Sequence, residues 1–108
     1  MAMQLSGDLM DGLVLALLSD EDLYGYALTK QVQERFAVSE STMYPVLRRL
    51  KSKGWVTTYD EPFEGRNRRY YKISDEGRSE VVRIQDEWRT FSGNVNEIMM
   101  AERGDNGE

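Results

Sequence analysis

The sequence predicts a mainly α fold with a minor β part: three helices, a small antiparallel sheet of two or three strands, and a long C-terminal helix. Three observations predict it. Apolar residues recur at helical spacing through residues 8–53, interrupted only by short polar segments. Two aromatic and β-branched runs, residues 55–59 and 68–73, flank a segment holding Pro62, Gly65 and Asn67. Finally, Val81, Ile84, Trp88, Phe91, Val95 and Ile98 are separated by 3, 4, 3, 4 and 3 residues, the a/d seam of a paired helix. A chain of 108 residues has room for one domain with a small core.

The first helix begins near Ser6 or Asp8, either of which can cap free backbone N–H groups. It carries Leu9, Met10, Leu13, Val14, Ala16, Leu17 and Leu18, and being apolar nearly all round it belongs in the core or a dimer interface. Ser19-Asp20-Glu21-Asp22 ends it. A second helix is expected over residues 24–35, with Leu28, Val32 and Phe36 as its buried face. Tyr24 and Tyr26 read as packing residues at its start, and Gly25 as a point of close backbone approach. After a short connection at residues 37–39, the third helix buries Met43, Val46, Leu47 and Leu50 and leaves Ser41, Pro45, Arg48 and Ser52 opposite, flanked by Tyr44 and Arg49. Pro45 suits a cap at Thr42 better than one at Ser39, so an irregular first turn is expected. Gly54 can adopt the left-handed conformation that stops this helix, and Trp55 and Val56 start a strand.

Between the two strand runs, residues 60–67 form a loop too long for a tight two-residue turn. Alternation puts Arg68, Tyr70 and Lys72 on one face of the second strand and Arg69, Tyr71 and Ile73 on the other, with Tyr71 in the core. Ser74 followed by Asp75 and Glu76 signals the start of the last helix. Gly93 weakens that helix by roughly 1 kcal/mol relative to alanine, an amount packing can offset. Its seam of Val81, Ile84, Trp88, Phe91, Val95 and Ile98 exceeds what so small a body can cover, which implies a second chain. The expected organisation is therefore residues 1–74 as one binding domain, 75–101 as a dimerisation helix, and 102–108 as a polar tail, in one compact unit.

Composition removes most catalytic chemistry. There is no cysteine and no histidine, so thiol catalysis, the usual structural zinc sites and His-based triads are excluded. No phosphate-binding loop or acid–base pair stands out either, so neither an enzyme nor a bound metal or cofactor is expected. Asp20, Glu21 and Asp22 lack the spacing of a cation loop and read as a solvated turn, and Met99 and Met100 read as interface filler. The longest apolar run, residues 13–18, is too short to span a bilayer, and with no basic-then-apolar leader a cytoplasmic protein is expected.

The net charge of −5 argues at first against a nucleic-acid partner, but the way that charge is distributed argues for one. Residues 1–27 carry −5, residues 28–74 carry +5 and residues 75–108 carry −5. The cationic third holds the third helix and the strands. Helix, short turn, helix and basic hairpin is the order of a winged helix-turn-helix, whose second helix enters the major groove while the hairpin reaches phosphates or the minor groove. On that geometry Ser41, Tyr44 and Arg48 face the groove, Arg48 being the candidate for a two-pronged contact to guanine. Lys30, Thr42, Arg49, Lys51, Arg66, Arg68, Arg69 and Tyr70 are candidate phosphate contacts.

Tyr24-Gly25-Tyr26, the run Ser41-Thr42-Met43-Tyr44-Pro45-Val46-Leu47-Arg48-Arg49-Leu50, Lys53-Gly54-Trp55-Val56 and the run Arg68-Arg69-Tyr70-Tyr71-Lys72-Ile73-Ser74-Asp75-Glu76-Gly77 together resemble the PadR family of bacterial transcriptional regulators. The resemblance covers about residues 8–100. It implies a winged helix-turn-helix homodimer that binds a double-stranded operator and usually represses a neighbouring operon. By motif, Thr42, Tyr44, Arg68, Arg69 and Tyr70 inherit DNA contact. The single short C-terminal helix is similar to the small PadR subfamily, some of whose members hold a flat aromatic effector against a tryptophan between the dimer's terminal helices. Trp88 occupies such a position, where simple interface packing is the alternative. A winged-helix module that binds another protein instead of DNA is the competing reading, and it leaves Arg66, Arg68 and Arg69 without a use.

Overall fold

A computed structural model describes residues 3–103; most of the tail expected over residues 102–108 lies outside them. The order is α1 (Gly7–Asp20), β1 (Leu23–Tyr24), α2 (Gly25–Gln33), α3 (Glu40–Ser52), β2 (Val56–Phe63), β3 (Arg66–Ile73) and α4 (Asp75–Met99). Ser6 is the cap of α1, its hydroxyl accepting from the Leu9 N–H at 3.3 Å. The helix buries Met10, Val14, Leu15 and Leu18 and runs against both α3 and α4, which makes it the centre of the core. Leu15, Leu18, Leu28, Met43, Leu47, Leu50 and Val56 are almost wholly withdrawn from water; each such side chain stabilises the fold by about 1.5–3 kcal/mol.

The helix α2 is shorter than the expected 24–35. It stops at Gln33, whose side-chain amide donates to the Val38 carbonyl at 2.9 Å and closes the turn to α3. Phe36 therefore lies beyond the helix and is 36% exposed, and Thr29 takes a place beside Leu28 and Val32 on the buried face. Ser39 caps α3, accepting from the Thr42 N–H at 3.2 Å. The helix continues through Pro45 without a break, so the irregular first turn is confined to the Thr42 and Met43 N–H groups sharing the Ser39 carbonyl, both at 3.1 Å. Gly54, at φ 78°, ends α3 as expected: its N–H bonds the Lys51 carbonyl and the Trp55 N–H the Leu50 carbonyl, the paired bonds of a Schellman stop.

The sheet has three antiparallel strands in the order β1-β3-β2. The hairpin departs furthest from what the sequence predicts. Strand pairing runs from Val56 opposite Ile73 to Phe63 opposite Arg66, leaving only Glu64 and Gly65 as the turn. Both have positive φ, 51° and 77°, as a two-residue turn of the mirror-image type requires. Pro62 does not break β2 because β2 is an edge strand. Phe63 with Arg66 closes the two-residue loop as a hydrogen-bonded pair, so Pro62 with Asn67, one step back, is a pair that exchanges no ladder bonds, and the missing N–H costs nothing.

Ser74 joins the sheet to α4. Its hydroxyl donates to the Gly54 carbonyl at 2.6 Å and accepts from the Gly77 N–H at 3.0 Å, while its N–H bonds the Trp55 carbonyl. A Cβ at residue 77 would lie 2.1 Å from that same Trp55 oxygen. Gly77, and not Gly25, is thus the point of close backbone approach; at Gly25 the nearest neighbour to a Cβ would be the Tyr71 ring at 3.6 Å, an ordinary contact. Val81 and Ile84 of the predicted seam are buried in their own chain against α1, so the seam available to a partner begins at Trp88. Beyond that point Trp88, Phe91 and Ile98 are 46%, 62% and 71% exposed and Val95 half-buried, on a molecule measuring 66 × 30 × 21 Å.

Candidate nucleic-acid interface

The exposed face of α3 is set by its buried one. With Met43, Val46, Leu47 and Leu50 in the core, helical geometry turns Ser41, Tyr44 and Arg48 outward, and all three are exposed. Ser41 and Thr42 stand at the helix start, their hydroxyls 2.8 Å and 3.1 Å from the Ser39 hydroxyl. Both side chains are exposed there.

The other wall comes from the hairpin. Strand β1 pairs with β3 only at Tyr71 and Tyr70, so the stretch of β3 nearer the turn has a free edge. That edge, the start of α2 and the outer face of α3 enclose a groove of about 1080 Å³. Tyr44 and Arg48 line it from α3, Arg66, Arg68 and Arg69 from β3, and Tyr71 from the core side. Burial pushes the Tyr71 phenol up; expected in the core, the ring packs against it half-buried and also lines the groove. Five of the predicted contacts therefore meet at one place. Arg48, Arg66 and Arg68 form no ion pair among the described residues, so their charge is available to a polyanion.

Five predicted contacts stand differently. Arg49 is bonded to the buried carboxylate of Asp11 on α1. It is half-buried and holds α3 to the core, so its charge is partly committed within the chain. Arg69 lines the groove but lies opposite Asp60, donating from Nε to Oδ1 at 3.1 Å. That bond holds the Asp60 carboxyl below the usual range and partly cancels the arginine's charge. Tyr70 stacks on Tyr59 with ring centres 5.4 Å apart and planes 7° from parallel. Lys30 and Lys51 are exposed outside the groove, the Lys30 ammonium 5.8 Å from the Tyr26 ring centre.

Sequence reasoning missed Tyr24, Tyr26 and Phe63. Tyr24 and Tyr26, expected to pack, line the groove, and Tyr26 is 58% exposed. Phe63, at the end of β2, lines it too. The signal was the Tyr-Gly-Tyr run itself, whose role depends on a two-residue strand too short to stand out from sequence.

A second, apolar cavity of about 390 Å³ lies between α1 and α4, with Leu9, Leu13, Phe36, Ile84 and Trp88 among its walls. It adjoins the exposed part of the α4 seam. Elsewhere on α4, Arg83 pairs with Glu80 and Glu87 and Arg89 with Asp86, whereas the exposed Arg78 forms no ion pair among the described residues. Among the described residues no group of acidic side chains is spaced to hold a metal ion, and no helix is long and apolar enough to cross a membrane.

The model of the transcriptional regulator PadR-like family matches residues 14–83. A transcriptional regulator of Mycobacterium tuberculosis is 31% identical over 70 residues, 64% of this chain and 65% of that protein. An uncharacterized protein of Lysinibacillus sphaericus is 30% identical over 84 residues, 73% of this chain and 77% of that one. Among solved structures, a Streptococcus mutans protein superposes with a TM-score of 0.87 at 32% identity, covering 97% of this chain and 100% of its own. A PadR family transcription regulator from Clostridium difficile does so with a TM-score of 0.77 at 33% identity, covering 83% and 97%. The matched residues include α2, α3, the groove and the hairpin that faces it, and on these grounds the chain belongs to the PadR family of DNA-binding, winged helix-turn-helix transcriptional regulators.

Proposed function

We propose that the chain is a cytoplasmic homodimeric repressor that reads a palindromic operator with residues 39–53 and the wing, residues 60–70. The observation that carries this reading is the convergence of Tyr44 and Arg48 with Arg66 and Arg68 on one groove beside the exposed face of α3. Arg48 supplies the base contact, because a guanidinium matches the two acceptors of guanine in the major groove. Lys30, Lys51, Arg66 and Arg68 supply phosphate contacts, which fix position without reading sequence. Ser41 and Thr42 add hydroxyls at the start of the reading helix.

About one turn of exposed helix reads too few base pairs for specificity, so two subunits are needed. The stripe of exposed Trp88, Phe91 and Ile98 with half-buried Val95 is the surface for the second. A flat aromatic effector resting against Trp88 would act at the same place, and the apolar cavity beneath that residue supports this role. A footprint on DNA upstream of the protein's own gene tests the reading. It should show two protected half-sites about 34–36 Å apart, or a multiple of that spacing; no binding even at low salt would overturn it.

A further inference from the structure

Arg68 is the wing arginine whose guanidinium is held by rings. Its central carbon lies 4.0 Å from the centre of the Tyr24 ring and 3.6 Å from that of Phe63. Tyr24 is itself fixed, since β1 places it opposite Tyr70 with ring centres 5.7 Å apart. Tyr70 stacks on Tyr59, and the Tyr59 hydroxyl donates to Asp22 at 2.7 Å. A continuous run of contacts thus leads from the turn after α1, through three tyrosines, to one arginine. Arg68 spends none of its donors on a carboxylate: Glu61 lies opposite it in register, yet the two form no ion pair among the described residues. Its neighbour Arg69 is the one bound, to Asp60.

A long cationic side chain normally loses rotamer freedom when it meets a phosphate. Arg68 has lost much of it already, because two ring faces attract a guanidinium without using its N–H donors. We propose that Tyr24 and Phe63 are positioning residues for DNA binding, holding Arg68 as a pre-ordered cation that meets a phosphate when the wing docks. This rests on the DNA-binding reading above.

The test measures binding of the full chain to a random-sequence DNA duplex at low salt, since a phosphate contact does not depend on sequence. Tyr24→Leu and Phe63→Leu should each weaken binding by about three- to tenfold per subunit. Tyr24→Phe, which keeps the ring, should restore most of the loss. In an Arg68→Ala background neither Leu substitution should weaken binding further, which a merely structural role would not produce. Phe63 is partly exposed at the end of the hairpin, so its variant keeps the test alive if Tyr24→Leu fails to fold. Equal losses with and without Arg68, or a Tyr24→Phe loss as large as that of Tyr24→Leu, would overturn the proposal. Failure of the unsubstituted protein to bind the duplex would instead overturn the DNA-binding reading beneath it.

Discussion

Asp11 on α1 and Arg49 on α3 form an ion pair that ties the reading helix to the central helix of the core. Asp11 is 6% exposed, so its charge has no comparable source of compensation in water. Removing the arginine strands that charge. Fully buried pairs lose about 3–5 kcal/mol when one partner is removed; because Arg49 retains contact with solvent, Arg49→Ala should cost about 1–3 kcal/mol. The check is a urea unfolding curve with a lower midpoint and unchanged slope. Unchanged stability together with lost DNA affinity would make Arg49 a DNA ligand.

Arg48 projects from the exposed face of α3 with no ion-pair partner among the described residues. Arg48→Ala should cost about 1–3 kcal/mol on the footprinted site and much less on random DNA. Comparable losses on both would mean that Arg48 contacts phosphate and reads no base.

On α4 the boundary between core and seam falls between Ile84 and Trp88. Phe91→Asp combined with Ile98→Asp should therefore give a folded monomer, seen as an unchanged far-ultraviolet circular dichroism spectrum with a halved mass by light scattering. A dimer that survives both charges would place the subunit interface elsewhere.

The bond from the Tyr59 hydroxyl to the Asp22 carboxylate pushes the Tyr59 phenol up to about 12 from 10.0, with burial and the charge of Asp22 adding to the shift. The protonated phenol is thus favoured in the folded protein. Its contribution to stability is complete below about pH 10 and lost as pH rises toward 12. An NMR titration of the Tyr59 ring should show a midpoint near 12, displaced downward in Asp22→Asn. A midpoint near 10 in the unsubstituted protein would show that the bond is not formed in solution.

What could be read from the sequence was local, and what could not be read depended on distant partners. The buried face of α3, the stop at Gly54 and the Ser74 cap follow from spacing and backbone preference within a few residues. The short hairpin turn was hidden because Pro62 normally ends a strand, and only the edge position of β2 makes it harmless. Arg49 and Arg48 are adjacent in sequence and equally basic; Asp11, far back in the chain, pairs with one and leaves the other without an ion-pair partner among the described residues. Val81 and Ile84 fit the α4 seam by spacing as well as Trp88 does, but α1 covers them. Tyr24 acquired its place beside Arg68 from a register with Tyr70 that no periodicity in residues 23–26 announces.

The central claim is that a protein with a net charge of −5 binds DNA through a small set of exposed or groove-lining cations that form no ion pair among the described residues. The dependence of affinity on salt tests it most directly. With Lys30, Lys51, Arg66 and Arg68 each neutralising a phosphate in both subunits, log K should fall against log salt with a slope of about −7. A slope near zero, or binding that strengthens with salt, would contradict it.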